Sequence, residues 1–391
     1  MGVTIQRQTN QLKRTEPTAD AVVCLIMSGA AVAGKIALGE HKVLFGRDGL
    51  TTLGITEANN PLAFKDISDF YTVIGEGAEL NIMLVVDTTS ITDVCDTANQ
   101  LAKKLLDSTE GRGVILAVNR KTPAGYVPVI AAGLDADINS AMTKLNALGA
   151  EYQAQNIPFI GLLPALGWTK ETSANMPARS TLNNDYVALN AWCNAADKIV
   201  SMGQFAAWVG KHQVHQNIGR VASGKLSDTA YMPDGTAPKD LKNQWNAIAL
   251  KGLCFPVKIN GKSGFFYKDD PCMTSLSSDY SSISWNRTIN KAQRIADAVL
   301  VEKLNDDVDV DPGTGDIESS LLSDWESDVE TAIRQQMQTT SGLKKKEISG
   351  VKCFIDPESN IINDQVDATI TIVRKGQAKE IGVKIGYGVT I

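Results

Sequence analysis

Three stretches have residue types and spacing that could do chemistry. The first is Gly29-Ala30-Ala31-Val32-Ala33-Gly34-Lys35, which follows an apolar run; a later apolar run ends in Leu84-Val85-Val86-Asp87. A phosphate loop wraps phosphates in such a glycine-framed turn, with the lysine on the terminal phosphates and an acid on the magnesium side. It also needs Ser or Thr directly after the lysine, because that hydroxyl binds the metal. Here the residue is Ile36. A Gly/Ala-rich turn between two strands therefore explains the run better than a nucleotide-binding enzyme using Lys35 and Asp87, which stays as the alternative. The second stretch is Asp307, Asp309 and Asp311 followed by Glu318, the carboxylate spacing of a calcium loop. Its sixth position is Pro312, which cannot take the positive φ that glycine supplies there. A solvated acidic loop is the simpler reading. The third is His212 and His215, one helical turn apart and without a CxxC or HExxH pattern; they read as two surface histidines. No catalytic residue, cofactor or metal centre is expected.

The bulk properties agree. The chain has 391 residues, with 38 Lys plus Arg against 44 Asp plus Glu, so it is mildly acidic and lacks the basic footprint of a nucleic-acid binder. Its longest apolar run, Ala21 to Met27, is far short of the roughly 20 residues that span a bilayer, so no membrane insertion is expected. The six cysteines are scattered with no CxxC pair, which reads as isolated reduced core residues.

The elements behind these stretches follow from periodicity. Apolar runs at 21–27, 80–86, 114–118 and 157–163 predict buried strands. Helical faces are predicted at Phe64–Ile74, Ile91–Leu105 and Ile138–Tyr152, with a further helix over 185–196 and a short strand at 198–202. Strand–helix alternation argues for a mostly parallel sheet covered on both faces. Two short strands near 255–259 and 265–267 then precede a helix near 286–304, the acidic loop 306–316, a helix near 317–339, the basic run Lys344-Lys345-Lys346, and strands at 348–355, 366–374 and 380–391. The expected organisation is an N-terminal arm (1–19), an α/β core domain (20–252), an α+β domain (253–375) and a C-terminal strand arm (376–391).

The two ends carry a further pattern. Ile381, Val383, Ile385, Tyr387, Val389 and Ile391 alternate without a break with polar residues or glycine, and Val3 and Ile5 give a shorter version. A lone amphipathic strand is unstable in water and must join a sheet edge. That edge is either in the same molecule, as in a soluble binding module with internally paired ends, or in a neighbour. Head-to-tail donation to neighbours produces rings or helical filaments.

With these ends in view, the chain resembles the contractile tail sheath proteins of phages and related injection machines, as a divergent branch. The likeness rests on order and texture along most of the length. Ala196-Asp197-Lys198 through Phe205-Ala206-Ala207-Trp208 is similar to the family's mid-chain segment. Leu241 to Ile248, with Trp245, resembles its helix before a glycine-rich hairpin, here Gly261–Tyr267. Ile283-Ser284-Trp285-Asn286-Arg287 opens the long helix, and Asp324-Trp325 lies in the next. The hairpin reads Phe265-Phe266-Tyr267-Lys268 where the family usually carries a Trp-Gly-Ala-Arg-Thr-like run. The resemblance implies a structural protein of a virion tail or phage-derived particle, assembled in the host cytoplasm. It implies hexameric rings stacked around a tail tube protein, with baseplate and tail terminator proteins as further partners. It also implies strand links between subunits through the terminal residues, contraction without nucleotide hydrolysis, an outer α/β unit, and an inner unit facing the tube, where Lys344, Lys345 and Lys346 are candidates for contact.

Overall fold

The computed structural model describes residues 20–314, 316–339, 346–359 and 365–379. In chain order it runs β1 (Val23–Ser28), β2 (His41–Leu44), α1 (Asp48–Leu53), α2 (Pro61–Ile74), β3 (Leu80–Val85), α3 (Ile91–Cys95), α4 (Leu101–Asp107) and β4 (Ile115–Asn119). A small hairpin, β5 (Ile130–Ala131) and β6 (Leu134–Asp135), leads into α5 (Ala136–Ala154). Next come β7 (Ile160–Pro164), β8 (Asn183–Asn184), β9 (Val187–Asn190), α6 (Met202–Lys211), α7 (Trp245–Ala249), β10 (Leu253–Cys254), β11 (Pro256–Val257), β12 (Phe266–Tyr267) and β13 (Met273–Thr274). The last described elements are α8 (Ile283–Leu300), α9 (Ser319–Ile333), β14 (Ile348–Ile355) and β15 (Ala368–Arg374).

Seven strands form one sheet in the order β10-β9-β7-β4-β1-β3-β2, parallel throughout except for β2. Alternate residues divide between its faces. Val23, Leu25 and Met27 join the core beneath α2 and α6, while Cys24 and Ile26 join the core beneath α3, α4 and α5. Both faces are buried, which is why the strands read as continuous apolar runs rather than alternating ones. Helices α2 and α6 approach so closely that a Cβ at Gly203 would overlap the Asp66 carbonyl, so glycine is required there. All six cysteines are free and buried, as expected.

Four expectations are corrected. Residues 187–190 are strand β9, not helix. Each is fully buried between β7 and β10, and tertiary pairing overrides the helical texture of Ala188, Leu189 and Ala191. Residues 198–202 are not a strand: Lys198 has φ 61° and α6 already starts at Met202. The helix expected over 91–105 is broken in two. Asp96 ends α3 and its side chain accepts from Ala98 N–H, while Gln100 turns left-handed at φ 59° before α4. Finally, a boundary after residue 252 would cut the large sheet, because Leu253–Cys254 is its edge strand and the β11–β12 hairpin contributes Tyr267 to the same core.

The second hydrophobic unit starts at α8. Ile295, Trp325, Val329, Ile333, Ile348, Val351, Cys353 and Ile355 meet between α8, α9 and the antiparallel pair β14–β15. The buried positions of β14 change phase between Ile348 and Val351 because the register slips between Ile348 and Gly350. Helix α8 joins the units. Arg294 donates to the carbonyls of Gly111, Gly113 and Pro158 at the amino end of the sheet, and burial pushes its pKa down to about 10.

Candidate assembly site

A doubly wound sheet binds ligands outside the carboxyl ends of its strands, where the connections diverge. Here that place lies between β1 and β4, and side chains of the protein satisfy one another across it. Ser28 Oγ accepts from Lys121 N–H at 2.7 Å, and Asn119 donates to Asp66 at 2.7 Å and to the Val200 carbonyl at 3.0 Å. Arg120 donates to the Asp87 carbonyl and pairs with Asp137 at 3.3 Å; Asp137 in turn accepts both N–H groups that open α3, Ile91 and Thr92. The Gly29–Lys35 run leads into strand β2 through a Val32–Ile36 bridge, not into a helix whose amino end could hold phosphate. Ile36 is buried and Lys35 exposed. In the acidic loop, Asp311 Oδ1 accepts from Gly313 and Thr314 N–H, closing the turn with its own carboxylate.

The histidines differ from expectation, because His212 is buried and His215 half-buried at the end of α6. His212 Nδ1 lies 2.8 Å from the Trp208 carbonyl, and burial holds both imidazoles down at about 4. Above pH 6.5 His212 is neutral whether folded or unfolded. As pH falls from about 6.5 toward 4, the unfolded chain takes up a proton that the folded one refuses, and stability drops by up to about 3 kcal/mol. His212→Gln removes this term. The gap in melting temperature between wild type and variant should shift in the variant's favour across that window, and a parallel pH dependence would refute the assignment.

The described ends of the chain converge on α8. Asp20, where the N-terminal segment meets the sheet, gives its carbonyl to Arg287 at 2.7 Å and its carboxylate to Lys291 at 2.7 Å. Lys291 also pairs at 2.7 Å with Glu347, at the root of β14; the two side chains are 4% and 2% exposed. On the other side, Arg374 stacks 3.6 Å over the Trp285 ring. Gln377 bonds Ser284 at 2.9 Å, and Lys379 pairs with Asp269 at 2.8 Å. Sequence reasoning singled out the Ile283–Arg287 segment but missed Asp20, Lys291, Glu347, Gln377 and Lys379. Their partners are tens to hundreds of residues away, so no local pattern marks them.

The hairpin has one closed and one open edge. Glu330 accepts Cys353 N–H at 3.0 Å and Glu326 accepts Ile355 N–H at 2.9 Å, so carboxylates of α9 cap the outward amides of β14. Among the described residues β15 pairs only with β14, and Phe354 and Val373 are exposed. Of the expected assembly residues, Val3, Ile5, Ile381, Val383, Ile385, Tyr387, Val389 and Ile391 lie outside the described residues, as do Lys344 and Lys345. Lys346 is half-buried just before β14.

Family models match residues 2–271 as the DUF2586 N-terminal domain and 279–391 as the DUF2586 C-terminal domain. The chain belongs to the DUF2586 family. The two DUF2586 matches divide just before α8, in step with the cores rather than with a boundary at 252. No curated protein matches the sequence. Among solved structures, this DUF2586 chain is similar to the anti-feeding prophage helical sheath in its contracted state, at 12% identity and TM-score 0.62 over 99% of each chain. It is also similar to the PVC sheath complex of an extracellular contractile injection system in its contracted state, at 13% identity and TM-score 0.56 over 100% of this chain and 98% of that one. A third is the sheath tail protein from Desulfitobacterium hafniense, at 10% identity and TM-score 0.51 over 96% of this chain and 100% of that one. The DUF2586 chain thus has the sheath-protein fold along nearly its whole length.

Proposed function

We propose that this protein is the repeating subunit of a contractile tail sheath. It stacks as hexameric rings around a tail tube and shortens to drive the tube through a cell envelope. The observation that carries the reading is the likeness to the anti-feeding prophage sheath over 99% of both chains. The β15 edge, unpaired on its far side among the described residues, supports it, since an exposed edge is a template for a strand from another copy. The terminal segments, with Val3, Ile5 and the alternating residues 381–391, are the strands offered. Contraction is then a change of contacts between rigid units while strand links hold, without nucleotide hydrolysis. The tube, baseplate and terminator proteins are the remaining partners, with the second unit and Lys344–Lys346 toward the tube and the α/β unit outside. The particle is a phage tail or a phage-derived injection machine, assembled in the host cytoplasm. Negative-stain microscopy of the purified protein tests this: rods or open rings are expected. A protein that stays monomeric at high concentration would instead be a binding module with internally paired ends.

A further inference from the structure

A cleft of about 1050 Å³ opens beside the segment 375–379, between α7, the β11–β12 hairpin and the segment 215–221 that follows α6. Its lining is one-sided in charge. Arg220, Lys242, Lys258, Lys268 and Lys375 line it, and among the described residues none of them has a carboxylate partner. The one lining carboxylate, Asp269, is already paired with Lys379. Leu250 and Leu276 add apolar surface, 59% and 62% exposed, beside the half-buried Trp245. In a protein of net charge −6, this local excess of cations over an apolar floor calls for a ligand both acidic and apolar.

The same chain carries such a ligand. Residues 306–318 hold six carboxylates and no cation, and Asp307-Val308-Asp309-Val310-Asp311 alternates acid with valine. The loop forms a short finger whose base is held to its own unit, where Ile317 N–H donates to the Pro357 carbonyl and Val308 packs on the second core, while Asp307, Asp309 and Val310 face outward. Asp311 N–H donates to the Asp316 carbonyl, Glu318 N–H to the Asp309 carbonyl, and Val310 bridges Ile317 while remaining 43% exposed. The other segments that might enter the cleft lack this charge: residues 1–19 carry Arg7, Lys13 and Arg14 against Glu16, and 380–391 carry one Glu and one Lys. A molecule cannot fill its own cleft. The cleft adjoins the first turn of α8 at Ser284, while the finger follows its last, and 18 residues put these ends about 27 Å apart.

We propose that the cleft receives the acidic finger 306–318 of a second copy of this chain. The contact is heterologous, because cleft and finger are different surfaces, so repeating it propagates a head-to-tail array. It rests on the self-assembly reading and adds to that reading a charge-steered contact independent of the terminal strands.

Two measurements test it. In the full-length protein, Lys258→Glu with Lys268→Glu, or Asp307→Lys with Asp309→Lys, should each raise the concentration needed for assembly about tenfold, and combining both pairs should restore most of it. Single sets without effect on a wild type that forms rods, or a combined variant no better than either set, would overturn the finger contact while leaving the sheath reading intact. Should the wild type form no rods, the sheath reading fails and the second arm decides the cleft. In that arm a fluorescent synthetic peptide of residues 305–318 is titrated against the full chain by anisotropy. Binding should weaken about tenfold with Lys258→Glu and Lys268→Glu, and also near 1 M salt, where the screening length is about 3 Å. It should weaken too when the peptide carries Val310→Asn, the exposed valine of the finger. No binding, or binding indifferent to both the cleft lysines and Val310, sinks the proposal.

Discussion

Removal of residues 380–391 is expected to leave a folded protein that melts cooperatively and no longer polymerises. Six apolar side chains on one face of that segment are each worth about 1.5–3 kcal/mol when fully covered. Fixing the backbone opposes this at about 1–2 kcal/mol per residue, so docking succeeds only when the segment also pairs its amides along an edge. The attachments just before it favour an edge in another copy. Gln377 and Lys379 fasten residues 375–379 to Ser284 and Asp269 beside the first unit, so this described stretch is not itself folded back onto β15 in a tight turn. A donated strand contributes nothing to the subunit's own core, so circular dichroism should show a melting temperature within a few degrees of wild type, and sedimentation velocity a monomer. A truncated protein that aggregates or melts far lower means that the segment pairs at home. One that still forms full-length tubes rules out donation.

Lys291→Met should destabilise the subunit by about 3–5 kcal/mol, the usual cost of breaking a buried ion pair from one side. Two carboxylates, Asp20 and Glu347, converge on the lost ammonium at 2.7 Å, and Glu347 is 2% exposed. At this chain length the loss corresponds to a fall in melting temperature of roughly 4–6 °C. Adding Glu347→Gln lowers the local excess of negative charge, part of which Arg287 still offsets, and should recover some of the loss, since neutral replacements of whole buried pairs are often tolerated. A single variant melting within a degree or so of wild type, or a double variant worse than the single, would show that the pair is not under buried-charge control.

What sequence could reveal depended on how local the cause was. Strands β1, β3 and β4 were legible because burial on both faces writes itself as an apolar run, and α5 because its buried residues keep helical spacing. Strand β9 was not. Its four residues are a strand only because β7 and β10 flank them, and Ala188-Leu189 carries no trace of that. Break points such as Gln100 and Lys198 depend on left-handed backbone that ordinary residue types conceal. The histidine pair looked like surface because its surroundings come from distant residues: Arg287 donates to the carbonyls of Val209 and His212, and Gln377 to that of His215. The cleft was invisible for the same reason: Arg220, Lys242, Lys258, Lys268 and Lys375 are dispersed over more than 150 positions and meet only after folding. The strand pattern at the C-terminal end was the reverse case, plain in sequence because alternation is purely local.

The attachment of both chain ends to α8 has a mechanical consequence. Ser284, which holds Gln377, and Lys291, which holds Asp20, are seven residues apart, or about 10 Å along one helix. A pull applied at the N-terminal segment and resisted at the C-terminal one is therefore carried across two turns of a single rod. Part of that load is thereby shared by α8 before it reaches β1, which starts three residues after Asp20. Each subunit can transmit tension like a link whose strength resides in a short central pin, to which Arg287 and Arg294 fasten the first unit and Ile295 the second.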